Sequence, residues 1–414
     1  MSEPGRFLIV SWDGGGNAPP ALNLGARLIR QGHQVRLLGW ESMAPRAAAA
    51  GVEFATYPSV PPWPPELAFE DALEERLMPA LAGPRTRADI LTEAKGFAPD
   101  VVAVDCMMGA GLQAAHELGR PTAVLVHLPY SAFMHEWGDE AARAEKARFL
   151  NEVGAVLALV PPGFDRPCPL PANTTYVGPI TDPNPRQPLD PRDAGLLAEP
   201  GDPWVLLSLS TTLQGQAAAL PPMLDAVAAL PVRVLLTLGG ALPASAVDPP
   251  PNVTVRGFVP HHLVLPYMAA VICHGGLSTI TAALTAGVPL VCIPQGRDQS
   301  DNAERVAASG TGRAVATDAA PAQIAYALEG LLADPAALRT ARRFAGVIAG
   351  LGGGAAATRE VASLARTCSS PRAPRRLRSR RARRNPRGSS SSGVSRSVSR
   401  SSCGGTSSAA ATRR

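Results

Sequence analysis

The sequence predicts an α/β protein of two successive lobes, each built around a doubly wound parallel sheet. Short apolar runs typical of buried parallel strands alternate with segments that repeat apolar residues at helical spacing. The alternation stops at a Pro-rich stretch near residues 181–203 and then starts again. A chain of 414 residues is long enough for two domains that each bury their own core.

We place the N-terminal lobe at residues 1–184, a Pro-rich linker at 185–203 and the C-terminal lobe at 204–366. A strand at 7–11, a Gly-rich turn, a helix at 21–31 and a strand at 35–38 form the first βαβ unit. The other expected strands are 101–104, 122–126, 205–209, 232–236, 253–256, 270–273 and 290–293. The other expected helices are 66–95, 112–118, 136–152, 217–229, 277–286, 301–308 and 321–332, and residues 60–65 form a surface loop.

After Arg366 the composition of the chain changes. Residues 367–414 carry 13 arginines and no acidic residue, so removing them changes the net charge from +5 to −8. A single charge sign and few large apolar side chains predict a disordered tail. The rest of the protein is acidic, so nucleic-acid or membrane-surface binding would depend on the tail alone, and we expect no nucleic-acid partner. We favour a non-functional extension produced by a reading-frame change.

The sequence also bears on location. No apolar run reaches the roughly 20 residues that a membrane-spanning helix needs, so we expect no transmembrane segment. The first residues lack the apolar core and cleavage site of a secretory signal, and we therefore expect a cytoplasmic protein. The six cysteines are scattered without metal-ligand spacing, as expected of buried, reduced thiols.

The densest group of candidate functional residues lies between a predicted strand and a predicted helix, at His274, Gly275, Gly276, Ser278 and Thr279. Glycines let the backbone approach a ligand closely. The hydroxyls lie at a helix N-terminus, where the helix dipole favours an anion, and the imidazole adds a side-chain donor. The segment is a candidate phosphate site, although it is not a Walker loop because no GK[ST] follows. A tight strand-to-helix connection would also explain the glycines.

Asp298 and Gln299 follow the next predicted strand, at the edge where open α/β sheets bind ligands. A carboxylate beside a carboxamide suits vicinal sugar hydroxyls, because the carboxylate accepts hydrogen bonds and the amide both donates and accepts them. The alternative is a solvated polar loop or a cap of the helix that follows.

Together these residues resemble the donor-binding signature of the inverting natural-product glycosyltransferases, which include bacterial macrolide and plant secondary-metabolite enzymes. The family pattern is HGG followed by T, then AGVPLV, then PQ-x-x-DQ-x-x-NA. Here it reads HGGLST at 274–279, AGVPLV at 286–291 and PQGRDQSDNA at 294–303. The resemblance covers about residues 6–366. It implies two Rossmann-like lobes, the GT-B fold, which face each other across a cleft that holds the active site.

The resemblance implies that the C-terminal lobe binds the nucleotide sugar and the N-terminal lobe binds the acceptor. The residues implied to contact the donor are Ser210, Thr211, Val259, His274, Gly275, Gly276, Ser278, Thr279, Asp298 and Gln299. Segments 210–211 and 274–279 would face the diphosphate, the backbone at 259 the nucleobase, and 298–299 the sugar hydroxyls. The family needs no metal, so we expect neither a metal nor a cofactor beyond the nucleotide sugar. A final helix over 355–365 is expected to return to the first lobe.

The first lobe departs from the family pattern at the general base. Members carry a histidine in a turn of the form G-H-x-x-P, supported by an aspartate after a later strand. Here Asn17 stands at the position of the histidine, and a carboxamide cannot accept a proton at neutral pH. Asp105 matches the supporting aspartate, and either Asp105 or Asp13 is the candidate base. His127 is an acceptor-pocket residue or a structural histidine, and His33 is a turn residue.

The sequence thus predicts an inverting hexosyltransferase that uses a UDP or TDP sugar. Its acceptor would be a hydroxyl of a small, largely apolar molecule such as a natural product, a glycolipid or a sterol-like compound. The alternative, motivated by Asn17, is a weak or inactive relative that binds nucleotide sugar or a lipophilic ligand as a partner protein. A sugar-nucleotide epimerase is a third candidate, which the first-lobe turn does not support. Nucleobase, sugar, acceptor and oligomeric state stay open.

Overall fold

The computed structural model of the protein describes residues 4–64, 66–135, 140–181, 188–240 and 242–368. These residues belong to one compact unit. Residues 369–414, which make up most of the tail that the sequence predicts to be disordered, lie outside the described residues. Residues 136–139 of a predicted helix and 182–187 of the predicted boundary region also lie outside them.

The first lobe contains a seven-stranded sheet whose neighbouring strands all run parallel. Its strands are β1 (Arg6–Val10), β2 (Gln34–Gly39), β3 (Glu53–Thr56), β4 (Val101–Asp105), β5 (Thr122–Val126), β6 (Ala155–Ala158) and β7 (Thr174–Tyr176). Their spatial order is β3-β2-β1-β4-β5-β6-β7, so the direction of winding reverses between β1 and β4. The central strands are buried on both faces, which explains their continuous apolar sequences.

Helices cover both faces of this sheet. They are α1 (Ala18–Arg30), α2 (Ala44–Ala49), α3 (Met78–Ala82), α4 (Pro84–Phe97), α5 (Gly109–Leu118), α6 (Tyr130–His135) and α7 (Glu140–Glu152). Phe7 and Ile9 pack in the core beneath α1, whereas Leu8 and Val10 pack with α4 and α5 on the opposite face. This alternation follows from the period of two in a strand.

The second lobe contains a six-stranded parallel sheet. Its strands are β8 (Trp204–Ser208), β9 (Arg233–Thr237), β10 (Val253–Arg256), β11 (Met268–Cys273), β12 (Leu290–Cys292) and β13 (Gly312–Ala314), in the spatial order β10-β9-β8-β11-β12-β13. The remaining helices are α8 (Pro191–Ala198), α9 (Gln216–Ala228), α10 (His261–Val264), α11 (Leu277–Ala286), α12 (Gln299–Ala308), α13 (Pro321–Leu332), α14 (Pro335–Leu351) and α15 (Gly353–Cys368). The predicted fold class, two doubly wound α/β lobes, is confirmed.

The register of the central strands places the loops that carry the candidate residues side by side. Val10 pairs with Val104, so the turn after β1 lies beside Asp105 at the end of β4. In the second lobe Cys273 pairs with Ser208, so the turn after β11 lies beside the loop after β8. Both positions are points where the winding reverses, and open parallel sheets bind ligands there.

Most predicted elements agree with the structure, and helices 277–286 and 321–332 agree to the residue. The helix expected over 66–95 is broken, because Glu70–Ala72 forms a 3-10 turn, Leu73–Leu77 a wider π turn, and Gly83 separates α3 from α4. The predicted linker 185–203 contains α8, which begins at the cap Asp190. The sequence analysis missed the strands β3, β6, β7 and β13 and the helices α2, α6, α10 and α14; β7 and β13 have only three residues each.

Helix α15 returns from the end of the second lobe to the first, as expected for residues 355–365. It packs against α1, and its buried side chains Ala357 and Val361 belong to the same core as Phe7 and Ile9. Gly154 allows this approach, because a Cβ there would meet the side chain of Leu364. The C-terminal helix therefore stabilises the N-terminal lobe.

Replacing Val361 with alanine tests this docking. Val361 is fully buried, so Val361→Ala should lower the free energy of unfolding by about 2 kcal/mol through lost burial and a residual cavity. Urea unfolding followed by circular dichroism measures the change. Arg359 lies on the exposed side of the same helix, and Arg359→Ala should change the free energy by less than about 0.5 kcal/mol. Equal stability of the two variants would contradict the docking of α15.

Candidate functional site

The turn between β11 and α11 has the backbone geometry of an anion site. Gly275 has a φ of +86°, a conformation that favours glycine, and a Cβ there would meet the backbone of Gln299. Gly276 is the N-cap of α11, and a Cβ there would collide with the ring of His274. No side chain of the described residues caps this helix, so its N-terminus can receive an anion.

His274 is held as a neutral hydrogen-bonding group. Burial is the main cause that lowers the pKa of its imidazole to about 4; Arg297 and His261 lower it further, and the backbone of Ser208 opposes the shift. Among the described residues, its Nδ1 atom has no hydrogen-bond partner although it is buried. An unpaired buried polar atom costs free energy, so a ligand oxygen in this turn would stabilise the site.

Gln299 connects two loops of the second lobe. It is only 1% exposed, and its Oε1 accepts a hydrogen bond of 2.8 Å from the backbone N–H of Gln295. Its Nε2 donates to Oε1 of Gln214, in the loop after β8. Both polar atoms of the Gln299 side chain are therefore bonded to the protein. The side chain could bind a ligand only if one of these hydrogen bonds were replaced.

Asp298 is the N-cap residue of α12, although its side chain makes no capping bond. Its Oδ2 accepts a hydrogen bond of 2.9 Å from Asn302, whose Nδ2 also donates to the backbone oxygen of Gly275 at 3.1 Å. Asn302 is fully buried. One amide thus ties the predicted sugar-binding carboxylate to the predicted phosphate turn.

The remaining predicted donor residues line the same edge. Ser210 is buried, and its Oγ lies 3.2 Å from the Thr212 hydroxyl, whereas Thr211 is exposed. The Val259 side chain is buried in the core of the second lobe, so only its backbone is open to a ligand. Its neighbour Phe258 is 69% exposed, which is unusual for an aromatic ring beside a buried segment.

In the first lobe, Asn17, Asp105 and His127 form one hydrogen-bonded group. Asp105 is 2% exposed, and its Oδ1 lies 3.0 Å from Nε2 of His127 and accepts the Met107 backbone N–H at 2.9 Å. The Asn17 Nδ2 donates to Oδ2 of Asp105 at 2.8 Å. The Ser11 hydroxyl donates to the same Oδ2 at 3.4 Å. Both carboxylate oxygens are thus occupied, which disfavours Asp105 as the base.

Asp105 and His127 stabilise each other's charged forms. Burial raises the pKa of the Asp105 carboxyl, but His127 and the hydrogen bonds from Asn17 and Met107 outweigh it, so the net pKa is lowered. Burial likewise lowers the pKa of His127, but the Asp105 charge and the neighbouring Cys106 outweigh it and hold that pKa well above its ordinary value. The pair is therefore an ion pair at mildly acidic pH.

Asp13 lies apart from this group. Its Oδ2 accepts a hydrogen bond of 2.7 Å from Ser42 and forms an ion pair with Arg46. Its Oδ1 accepts a hydrogen bond from the Gly15 backbone N–H at 3.4 Å. Asp13 is also outside the lining of the pocket between the lobes, which disfavours it as the base.

The two lobes touch at the candidate site. The Ser278 hydroxyl donates to the backbone oxygen of Gly16 at 3.1 Å, so the start of α11 contacts the turn before α1. Arg297 pairs with Glu70 at 2.7 Å and lies over the Phe69 ring. Beside this contact, a pocket of about 220 Å³ is lined from the first lobe by Gly16, Asn23 and His127 and from the second by Leu277, Ser278 and Thr281.

Asp105, Cys106 and His127 also offer ligand atoms that lie within 4.8 Å of one another. The 3.0 Å separation of the Asp105 oxygen and the His127 nitrogen is that of a direct hydrogen bond. We therefore interpret the group as a hydrogen-bonded pair with a neighbouring thiol. The absence of a metal requirement stays a prediction.

The structure brings the predicted residues of the second lobe to one edge and places Asn17, Asp105 and His127 opposite. Sequence reasoning missed Gln214 and Arg297 as parts of the site, whereas it gave Phe258–His261 as the loop implied to surround the nucleobase. Arg297 lies inside the motif at 294–303, so its position was a usable signal. Gln214 carries no motif, and its partner Gln299 is 85 residues away, so only the tertiary structure identifies it.

Comparison with known proteins agrees with this geometry. Residues 218–350 match the family model described as "Erythromycin biosynthesis protein CIII-like, C-terminal domain". The 4'-demethylrebeccamycin synthase of Lentzea aerocolonigenes is 34% identical over 152 residues, which are 36% of this chain and 35% of that protein. NDP-glycosyltransferase YjiC of Bacillus subtilis (strain 168) is 26% identical over 331 residues, 72% of this chain and 81% of that protein.

Among solved structures, the calicheamicin glycosyltransferase CalG4 superposes with a TM-score of 0.69 at 26% identity, over 89% of this chain and all of that one. The two-lobed architecture and the turn at α11 define a chain of the GT-B class. Its C-terminal lobe is similar to those of natural-product glycosyltransferases with this fold. The first curated relatives are matched over only about a quarter to two fifths of their length. Within the described ranges, every helix is too short or too polar to cross a bilayer.

The ion pair in the first lobe predicts a pH-dependent loss of stability in His127→Gln. Because the pKa of His127 is raised in the folded state, its protonation stabilises the fold fully below the unfolded-state pKa of about 6.5. That contribution disappears as the pH rises through the folded-state value. Asp105 stays ionised throughout this range, since its pKa is lowered.

Urea unfolding should therefore show a larger deficit for His127→Gln at about pH 6 than at about pH 9. His116 is an exposed histidine of the same lobe, and His116→Gln is the matched control. A deficit that does not vary with pH would contradict the ion pair.

Proposed function

We propose that this protein transfers a hexose from a nucleoside diphosphate sugar to a hydroxyl of a small, largely apolar acceptor, with inversion at the anomeric carbon. The observation that carries the proposal is the turn after β11, where an uncapped helix start, two glycines and an unpaired buried His274 Nδ1 meet. A diphosphate fits this turn, because it would accept hydrogen bonds from the helix start and the imidazole.

The second lobe offers contacts for the other parts of the donor. Asp298 lies at the start of α12 beside the phosphate turn, where it can reach sugar hydroxyls, and Gln299 can do so by exchanging one of its protein partners. The exposed Phe258 ring and the open Val259 backbone suit stacking and hydrogen bonding to a uracil or thymine base. Both UDP and TDP sugars stay candidates.

The pocket between the lobes supports an apolar acceptor. Besides His127, its first-lobe wall includes Pro20, Leu159 and Ile180, and its second-lobe wall includes Leu277. Relatives named as a demethylrebeccamycin synthase and a demethyllactenocin mycarosyltransferase favour a natural product over a glycolipid or sterol-like acceptor.

The reaction would be a direct displacement. The acceptor oxygen would form a bond to the anomeric carbon as the bond from that carbon to the diphosphate oxygen breaks. The helix dipole of α11, the Ser278 hydroxyl and the His274 imidazole would stabilise the departing charge without a metal. Positioning by the two lobes would supply much of the rate. The cytoplasmic location stays a prediction.

A second candidate is a weak or inactive relative that binds nucleotide sugar or a lipophilic ligand for a partner protein. The observation in its favour is Asn17, whose amide is fixed on Asp105 and cannot act as a base. The complete donor turn argues against it, since a scaffold has little need for a carboxylate, Asp298, that Asn302 ties to the turn of His274.

Calorimetric titration with UDP and with TDP tests the donor site. Wild type should bind one of them with a micromolar Kd. Because His274 supplies a hydrogen bond to a charged oxygen, His274→Ala should weaken binding by about 1.5–3 kcal/mol, roughly 10- to 150-fold. Since the pKa of this histidine is about 4, the affinity that it contributes should not vary between about pH 6 and pH 8.

His116→Ala, on the surface of the other lobe, is the control and should bind as wild type does. Binding of neither nucleotide would contradict the transferase and favour the scaffold. Binding that is unchanged in His274→Ala would place the nucleotide elsewhere.

A further inference from the structure

We propose that His127, oriented by Asp105, is the general base that removes the proton from the acceptor hydroxyl. This inference rests on the proposed glycosyl transfer. The family pattern puts a histidine at position 17, where this chain has asparagine, so the residue at the usual position cannot act as the general base. The structure assigns it to a different histidine that contacts the same aspartate.

The two oxygens of the Asp105 carboxylate contact different residues, Asn17 at the usual position of the base and His127 at the proposed one. Oδ2 accepts from Asn17 at 2.8 Å, so the amide occupies the side from which position 17 approaches. Oδ1 lies 3.0 Å from Nε2 of His127, so an imidazole is held on the other side. A histidine–aspartate pair is thus present, with its imidazole supplied by the end of β5 instead of the turn after β1.

His127 also faces the right cavity. Its side chain is 14% exposed, whereas that of Asp105 is 3% exposed, so the imidazole is the member of the pair that reaches solvent. It lines the pocket that is also lined by Leu277 and Ser278, from the first turn of the donor helix α11. An acceptor bound in this pocket would therefore contact the His127 imidazole and lie beside the donor site at the same time.

The tautomer follows from the hydrogen bond. When Nε2–H donates to Asp105, the lone pair lies on Nδ1, and this nitrogen takes the proton. The acceptor O–H bond breaks and its proton moves to Nδ1 of His127 while the oxygen forms its bond to the anomeric carbon. The bond from that carbon to the diphosphate oxygen breaks, and the nucleoside diphosphate departs with the electron pair.

The ionisable groups around the imidazole set its pH dependence. Asp105 and Cys106 flank it from the end of β4, Lys146 lies near Cys106 from α7, and His262 of α10 lines the same pocket. Tyr57 is near Asp105. Of these, Asp105 dominates and raises the pKa of His127, so the neutral, proton-accepting form increases as the pH rises.

Transfer to a series of phenols distinguishes a base from a structural residue. The full-length protein is assayed with UDP-glucose and TDP-glucose and with phenols that range from strongly acidic nitrophenols to those with a pKa of about 10, like tyrosine. His127→Gln should lower kcat by about 10²- to 10⁴-fold for weakly acidic phenols, with little change in KM. The loss should shrink for nitrophenols, because they are already ionised. An equal loss for all acceptors would overturn the proposal.

A relocated histidine provides the second variant. Asn17→His in the His127→Gln background places an imidazole on the Oδ2 side of the same carboxylate, in place of the Asn17 amide, and should recover part of the activity on weakly acidic phenols. His116→Gln is the matched control and should leave every rate unchanged. If His262→Gln, instead of His127→Gln, gives the loss that depends on acceptor acidity, His262 is the base and the proposal is wrong.

A measurement without turnover separates this inference from the proposed function. NMR titration of the imidazole should give His127 a pKa above its ordinary value that falls in Asp105→Asn. An ordinary pKa for His127, or a pKa that does not fall in Asp105→Asn, would contradict the pairing of His127 with Asp105 even if the enzyme is active. Loss of activity on chelation and in Cys106→Ala, with recovery on added zinc, would show a metal site instead. A wild type that binds nucleotide but glycosylates no phenol would contradict the proposed transfer to such acceptors, and the base with it.

Discussion

The structure depends on one constraint, which is that parallel strands all end at the same edge of a sheet. In each lobe the winding reverses beside the first strand, and the register brings two loops together there. Val10 opposite Val104 puts the turn of Asn17 beside Asp105, and Cys273 opposite Ser208 puts the phosphate turn beside the loop of Ser210. The site therefore needs no unusual fold. It needs only polar residues at the carboxyl ends of the strands β1, β4, β8 and β11.

Burial then gives the histidines of the site opposite properties. His274 is buried and His261 half-buried, neither pairs with a carboxylate among the described residues, and desolvation is the main reason that the pKa of each falls to about 4. His127 is buried against a carboxylate, and its pKa is raised. The second lobe thus has neutral hydrogen-bonding imidazoles where an anion would bind, and the first lobe has an imidazole whose protonated form the Asp105 carboxylate stabilises.

Much of the fold could be predicted from the sequence, because the central strands are apolar on both faces and the helices alternate regularly between them. Helix α11 agrees to the residue, since a strand end, two glycines and Gly287 bound it. The three-residue strands β7 and β13 could not be found, because so few residues carry no periodicity. The break in the helix expected over 66–95 depends on tertiary packing that local sequence does not report.

The site was predictable where a motif lies in one segment and unpredictable where it is assembled from several. The residues of 274–279 and 298–299 were found because they are close in sequence. The pairing of Asp105 with His127 involves two different strand ends, and the contact of Ser278 with Gly16 joins residues 262 positions apart. Sequence alone could suggest that His127 reaches the cleft, but not that it shares a carboxylate with Asn17.

The central claim is that the nucleotide diphosphate binds at the start of α11, facing the first-lobe turn across the cleft. A crystal structure of the protein with UDP or TDP tests it most directly. The account predicts a diphosphate oxygen within about 3 Å of His274 Nδ1, with the other phosphate oxygens at the first backbone N–H groups of α11. A nucleotide bound in the first lobe, or a diphosphate that leaves His274 without a partner, would contradict it.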